Sequence, residues 1–196
     1  MKKPKYRALA ATAMLGAIGF VLMFIEIAVP VMPSFIKFDF SELPALLAAF
    51  AYGPAAGAGV CLVKNALHLL VTNSGGVGEL SNLVIGLCYC VPAGLLYRRI
   101  RSRRGAMYAA LLGTAVSALA SLPVNYYVIY PLYARLMPIE LILQAYQALD
   151  PSVGGLFDAL LRFNLPFTAV KELLTAAVVF LIYKRLSPVL HGRRAS

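Results

Sequence analysis

Six apolar stretches, at roughly 7–29, 42–52, 54–72, 79–97, 106–134 and 160–186, take up most of this chain. In hydrocarbon every backbone N–H and C=O needs an internal partner, so an apolar segment of about 20 residues crosses as a helix. The six segments predict an all-α integral membrane protein with six transmembrane helices, forming a single membrane domain over residues 1–196. Composition agrees, since 61% of the residues are apolar and only 13% are charged, against about 25% charged in soluble domains. The second stretch is short for a bilayer of about 30 Å, so it is expected to be tilted or partly inserted, with neighbours covering its ends. The first is too long for the apolar core of a secretory signal, about 7–15 residues, and reads as an uncleaved helix. Gly53-Pro54 predicts a tight break with Pro at a helix start. "TNSGGVGEL" (72–80) predicts a glycine-rich turn, and Pro123 and Pro131 a kink or early end in the fifth segment.

The net charge of +10 invites a nucleic-acid reading, but the placement of the charges argues for a membrane. Basic residues gather in three clusters: Lys2, Lys3, Lys5 and Arg7; Arg98, Arg99, Arg101, Arg103 and Arg104; and Lys184, Arg185, Arg193 and Arg194. Basic flanks beside apolar spans mark cytoplasmic loops. Both termini are then expected in the cytoplasm, with outer connections at 30–41, 72–79 and 135–159, in a multi-pass membrane protein. Asp39, Glu79, Glu140, Asp150 and Asp158 all fall on the outer side. Cys61, Cys88 and Cys90 sit in apolar runs and read as core or lipid-facing filling. No metal site is expected.

Ionisable groups inside a membrane cost about 2.5–3.5 kcal/mol each on insertion scales, so they face a cavity or a partner. Lys171 lies about 16 Å into the last segment, at 1.5 Å per residue. Asn164, Thr168 and Lys171 are spaced i, i+4, i+7 and share one helical stripe. Asn125 in the fifth segment and Glu79 at the start of the fourth can converge with them at the outer end of a bundle. The plainer alternatives are helix–helix ties through Asn and Thr and a structural pairing of Lys171 with Glu172 or Glu79. Lys64, Asn65 and His68 read as an internal polar network. The site candidates offer donors and acceptors without an arginine fork or a glycine-rich phosphate cradle. With Phe35, Phe38, Phe40 and Tyr126, Tyr127, Tyr130 and Tyr133 on the same side, they suit a flat heteroaromatic ligand with polar edges. For the tyrosines the alternative is an interfacial aromatic belt.

"SFIKFDFSELPALLAAFAYGPAAG", "KNALHLL", "GGVGELSNLVIG", "NYYVIYPLY" and "LPFTAVKELL", in that order, resemble the riboflavin-specific S component (RibU) family of energy-coupling factor (ECF) transporters. The resemblance runs from about residue 12 to 186. It implies a six-helix substrate-binding subunit, working with an EcfT-type transmembrane coupling subunit and two EcfA-type ATPases. It also implies flavin-ring contacts at Glu79, Asn125, Thr168 and Lys171, with the loop 33–40 as an outer lid between helices 1 and 2. Asn164 and Phe38 join the candidate substrate-binding residues. Two positions depart from the family pattern: Thr168, commonly Asn, and Glu172, commonly Gly. Thr keeps a hydroxyl but loses the amide's paired donor and acceptor, and Asn164, one turn away, offers compensation. In the family an Ala-x-x-x-Ala pattern on the first helix meets the coupling subunit, which implicates Ala13 and Ala17. Here they stand in a small-residue face with Ala8, Thr12, Gly16 and Gly19, and packing within the bundle is the alternative.

In "PSFIKFDF" (33–40) charges alternate with aromatics, so a segment at the water interface can turn its rings toward a pocket. Ser41 is a candidate N-cap for the second helix, with Glu42 suited to its positive end. No G-x-x-x-x-G-K-[ST] loop occurs, so the chain supplies no ATP chemistry itself, and no catalytic constellation is visible. The chain therefore reads as a binding subunit and not an enzyme, with riboflavin as cargo and no cofactor. The alternatives are an S component for another vitamin or a flavin nucleotide, a stand-alone proton-coupled carrier using Lys171, Glu172 or Glu79, and a membrane enzyme or quinone-binding subunit.

Overall fold

The computed structural model describes residues 3–191, with side-chain surroundings over 6–182. The side chains of Lys2, Lys3, Lys5, Lys184, Arg185, Arg193 and Arg194 lie outside the described residues. In chain order the elements are α1 (Lys3–Met23), β1 (Ile27–Ala28), β2 (Lys37–Phe38), α2 (Glu42–Tyr52), α3 (Pro54–His68), α4 (Val77–Arg99), α5 (Arg103–Val124), α6 (Tyr130–Tyr133), α7 (Ile139–Gln147), α8 (Leu156–Ala159) and α9 (Leu165–His191). Five stretches are long and apolar enough to cross a membrane: Tyr6–Met23, Pro54–Val71, Val77–Arg99, Arg103–Tyr133 and Leu156–Ile182. The expected sixth span, α2, has 11 residues, about 16 Å of helix at 1.5 Å per residue. It is the inner helix of the bundle. Ala45, Leu46, Leu47, Ala48, Ala49 and Phe50 are all buried, against Tyr89 and Ala93 of α4, Ala106, Ala109 and Ala110 of α5 and Val179 of α9 on one side and Val60 and Cys61 of α3 on the other.

Local chemistry accounts for the breaks. Gly53 joins α2 to α3 at φ 103°, ψ 172°, a region essentially reserved for glycine, and Pro54 opens α3 where its missing N–H costs nothing. Gly53→Ala is expected to lower stability by about 1–3 kcal/mol, measurable as a lower thermal midpoint in detergent. The first predicted span ends early, at Met23, because residues 24–41 form a hairpin-like excursion instead. In it Ile27 pairs with Phe38 and Ala28 with Lys37, antiparallel, and Lys37 forms an ion pair with Glu26.

Two spans contain a π-helical turn, at Asn125–Ile129 and at Leu160–Asn164. Each ends two residues before a proline, Pro131 or Pro166. A proline ring displaces the carbonyl four residues earlier, which here belongs to Tyr127 or Arg162, in the middle of each wide turn. The expected disturbance in the fifth segment is therefore this widening. The outer connection 135–159 is not simple loop. It contains α7, whose Ile142 and Tyr146 are buried against Tyr130, Val153 and Leu160.

The small residues of α1 divide between two faces. A Cβ on Gly16 would lie 2.6 Å from Val63, and one on Gly19 would lie 3.3 Å from Lys64, so these glycines seat α1 on α3. Ala13 and Ala17 are exposed. Cys61 and Cys90 are buried with their Sγ atoms 3.7 Å apart, and Cys88 is half-buried. All three are free thiols.

Candidate functional site

An inner chamber of about 190 Å³ lies where the hairpin excursion meets α2, α4 and the two π-helical turns. Phe35, Ile36, Lys37 and Asp39 line it from the excursion, and Asn125, Asn164, Thr168 and Lys171 from the α5 and α9 spans. Each wide turn contributes one amide, Asn125 as its first residue and Asn164 as its last. π-Turns recur at functional sites because they re-aim side chains that a regular helix would hold elsewhere. An outer chamber of about 340 Å³ shares Phe35, Lys37, Asp39, Gly78, Asn82 and Tyr133 with the inner one. Together they reach the range of about 300–1,000 Å³ that small-molecule sites occupy.

The sequence candidates divide between these spaces. Asn125, Thr168, Lys171 and Asn164 share the inner chamber. Glu79 lines the outer one, where Oε1 meets His68 Nδ1 at 2.7 Å and Oε2 accepts from Thr72 and Ser74, each at 2.9 Å. Phe38 lines neither chamber; it is buried edge-on against Phe40, with ring centroids 4.8 Å apart. The rings that reach both chambers are Phe35 and Tyr133, and Phe35 also packs edge-on to Tyr146. No hydrogen bond joins the Asn125 amide or the Thr168 hydroxyl to another described residue. Asn164 is already engaged: its Oδ1 accepts from Tyr146 Oη at 2.6 Å and its Nδ2 donates to Tyr130 Oη at 3.3 Å. Tyr146 in turn bonds Tyr130, so α7 braces this wall.

The charges are arranged differently from the sequence expectation. Lys171 pairs with neither Glu172 nor Glu79; its Nζ donates to Asp39 Oδ2 at 2.8 Å. That contact ties the excursion to α9 across 132 residues of chain. Burial alone would raise the Asp39 carboxyl, but the Lys171 ammonium, the Lys64 charge and hydrogen bonds from Lys171 and Ser41 outweigh it and hold the pKa at about 2. A carboxylate depressed in this way stabilises the folded arrangement above its ordinary value of 3.8, and loses that contribution as pH falls through about 2.

Ser41 does not cap α2. Its backbone is already helical at φ −67°, ψ −17°, and it makes no side-chain cap bond. Its hydroxyl accepts from Lys64 Nζ at 2.7 Å, and its N–H donates to Asp39 Oδ1 at 2.7 Å. Lys64 is fully buried and also donates to Glu42 Oε1 at 2.5 Å and Asn82 Oδ1 at 3.1 Å, so all three ammonium protons find acceptors. Glu42, 2% exposed, presses against α4 where a Cβ on Gly86 would lie 2.7 Å from each carboxylate oxygen. Of the expected internal network, Asn65 donates only to the Cys61 carbonyl, at 2.8 Å, and His68 belongs to the Glu79 cluster.

A bundle of apolar helices, opened near one end into a chamber of amide, hydroxyl and charged groups, defines a membrane subunit that holds a small polar solute. The chain belongs to the family of substrate-specific components of ECF transporters, whose model matches residues 7–183. It is 30% identical over 195 residues to riboflavin transporter FmnP of Bacillus subtilis, covering 98% of each chain. It is 32% identical over 181 residues to riboflavin transporter RibU of Staphylococcus aureus, covering 92% of this chain and 90% of that one. A solved S component of a bacterial ECF transporter superposes with a TM-score of 0.75 at 31% identity, covering 95% of this chain and 98% of that one. The chain is thus a transporter component and not an enzyme, and its small molecule is cargo and not a cofactor.

Proposed function

We propose that this chain binds riboflavin from the outer side of the plasma membrane. An EcfT-type coupling subunit and two EcfA-type ATPases would then drive uptake. The observation that carries the reading is the meeting of Asn125, Thr168 and Lys171 in one chamber, with two of the three polar groups left without a protein partner. A flavin ring presents alternating carbonyl and nitrogen edges that can occupy such an amide and hydroxyl, and Phe35 and Tyr130 offer apolar ring surface beside them. The segment 33–40 acts as the lid, latched by Asp39 on Lys171. Ala13 and Ala17 stand on the exposed face of α1 and serve as the docking surface for the coupling subunit, a role that suits small residues because they let helix backbones approach closely. The names of the relatives support the choice of vitamin.

The test is a titration of the purified chain in detergent, followed by quenching of flavin fluorescence. Saturable binding of one riboflavin per chain is expected. Absence of binding, or riboflavin uptake into vesicles driven by a pH gradient without any ATPase, would overturn the reading.

A further inference from the structure

Six charged side chains gather around the inner chamber: Lys37, Asp39, Glu42, Lys64, Lys171 and Glu172. Five of them are matched, Lys37 by Glu26 outside the chamber lining. Lys171 holds Asp39 at 2.8 Å and Lys64 holds Glu42 at 2.5 Å. Glu172 is the remaining one. It lines the chamber and is 1% exposed, yet its Oε2 is buried without a hydrogen-bond partner. A buried polar group left unsatisfied is costly, and far more so when charged. Among the described residues nothing satisfies that oxygen.

We propose that Glu172 is a ligand-contacting residue that determines specificity: its carboxyl bonds a hydroxyl of the bound ligand and disfavours the phosphate ester of the same ligand. A hydroxyl is the apt partner because it donates to a carboxylate and accepts from a carboxylic acid, so the contact survives in either protonation state. A phosphate monoester brings a charge of about −1.5 to −2 toward a chamber whose Lys37, Lys64 and Lys171 are already paired with Glu26, Glu42 and Asp39, leaving the Glu172 carboxyl unmatched. The chamber thus selects a neutral polyol-bearing ring over its phosphorylated form. This inference rests on the riboflavin reading above.

Three ligands separate the possibilities: riboflavin, lumiflavin (the same ring without the hydroxylated chain) and flavin mononucleotide. Glu172→Leu is expected to weaken riboflavin about tenfold or more, the loss of one hydrogen bond to an ionisable group, while lumiflavin changes less than about twofold. Retained lumiflavin binding also shows that the variant is folded. Glu172→Gln keeps an acceptor without a charge, so it is expected to lose less riboflavin affinity and to narrow the preference for riboflavin over flavin mononucleotide. Equal losses for riboflavin and lumiflavin, or an unchanged preference in Glu172→Gln, would overturn the assignment while leaving riboflavin binding intact. A wild-type chain that binds none of the three would sink the riboflavin reading and this inference with it.

Discussion

Lys64→Met is expected to destabilise the protein by about 3–5 kcal/mol, the usual cost of stranding one member of a buried ion pair. The reason is geometric. Glu42 sits 2% exposed at the start of α2, wedged against Gly86 of α4, and its carboxylate is stranded once its ammonium is gone. Three acceptors lose their donor together, since Ser41, Glu42 and Asn82 all bond the same nitrogen. A melting curve in detergent, read by circular dichroism, would show a large fall in midpoint. The double variant Glu42→Met with Lys64→Met is expected to recover much of the loss, because removing both charges leaves no stranded ion. A single variant as stable as wild type would show that the pair does not hold α2 in place.

Lys171→Met is expected to lower riboflavin affinity by about 10–100-fold, the range of one charge-assisted hydrogen bond. The substitution removes a chamber-lining donor and releases Asp39, so lid closure weakens too. Asp39→Asn separates the two contributions: it keeps Lys171 at the chamber and removes only the latch charge. Its affinity is expected to fall less than that of Lys171→Met, with a larger change in the rate of flavin release. The depressed Asp39 pKa, about 2, adds a pH criterion. Through this carboxylate, riboflavin affinity should stay level from about pH 8 down to about pH 4, because the group remains ionised there. A fall near pH 4 that disappears in Asp39→Asn would show that the latch is looser than the 2.8 Å contact implies.

How much of this was legible in the chain depends on the kind of signal. Long apolar runs and the Gly53-Pro54 break are local, and five of the six apolar stretches coincide with helices long enough to cross a membrane, although the first ends at Met23 and the second is only 11 residues long. The stripe Asn164, Thr168, Lys171 follows from helical spacing alone, and all three residues meet in one chamber. The partners of the buried charges were not legible, because Asp39–Lys171 and Glu42–Lys64 join residues far apart in sequence. Periodicity carries no information about which acid a buried lysine will meet. Ser41 illustrates the same limit: a residue suited to capping was drawn to a stronger donor from another helix. The missed helix α7 did leave a trace, since Ile139, Ile142, Leu143 and Tyr146 fall at i, i+3, i+4 and i+7. Its nine residues are too few to stand out beside the spans.

The shortness of α2 has a consequence for the cargo. A helix of about 16 Å spans only half of a hydrocarbon layer about 30 Å thick, and the hollow occupies the half it leaves open. On the proposed reading, a molecule resting on Glu42 and Lys171 would lie near the middle of the hydrocarbon layer. What would then remain to be opened, on the same transport reading, is the length of one short helix.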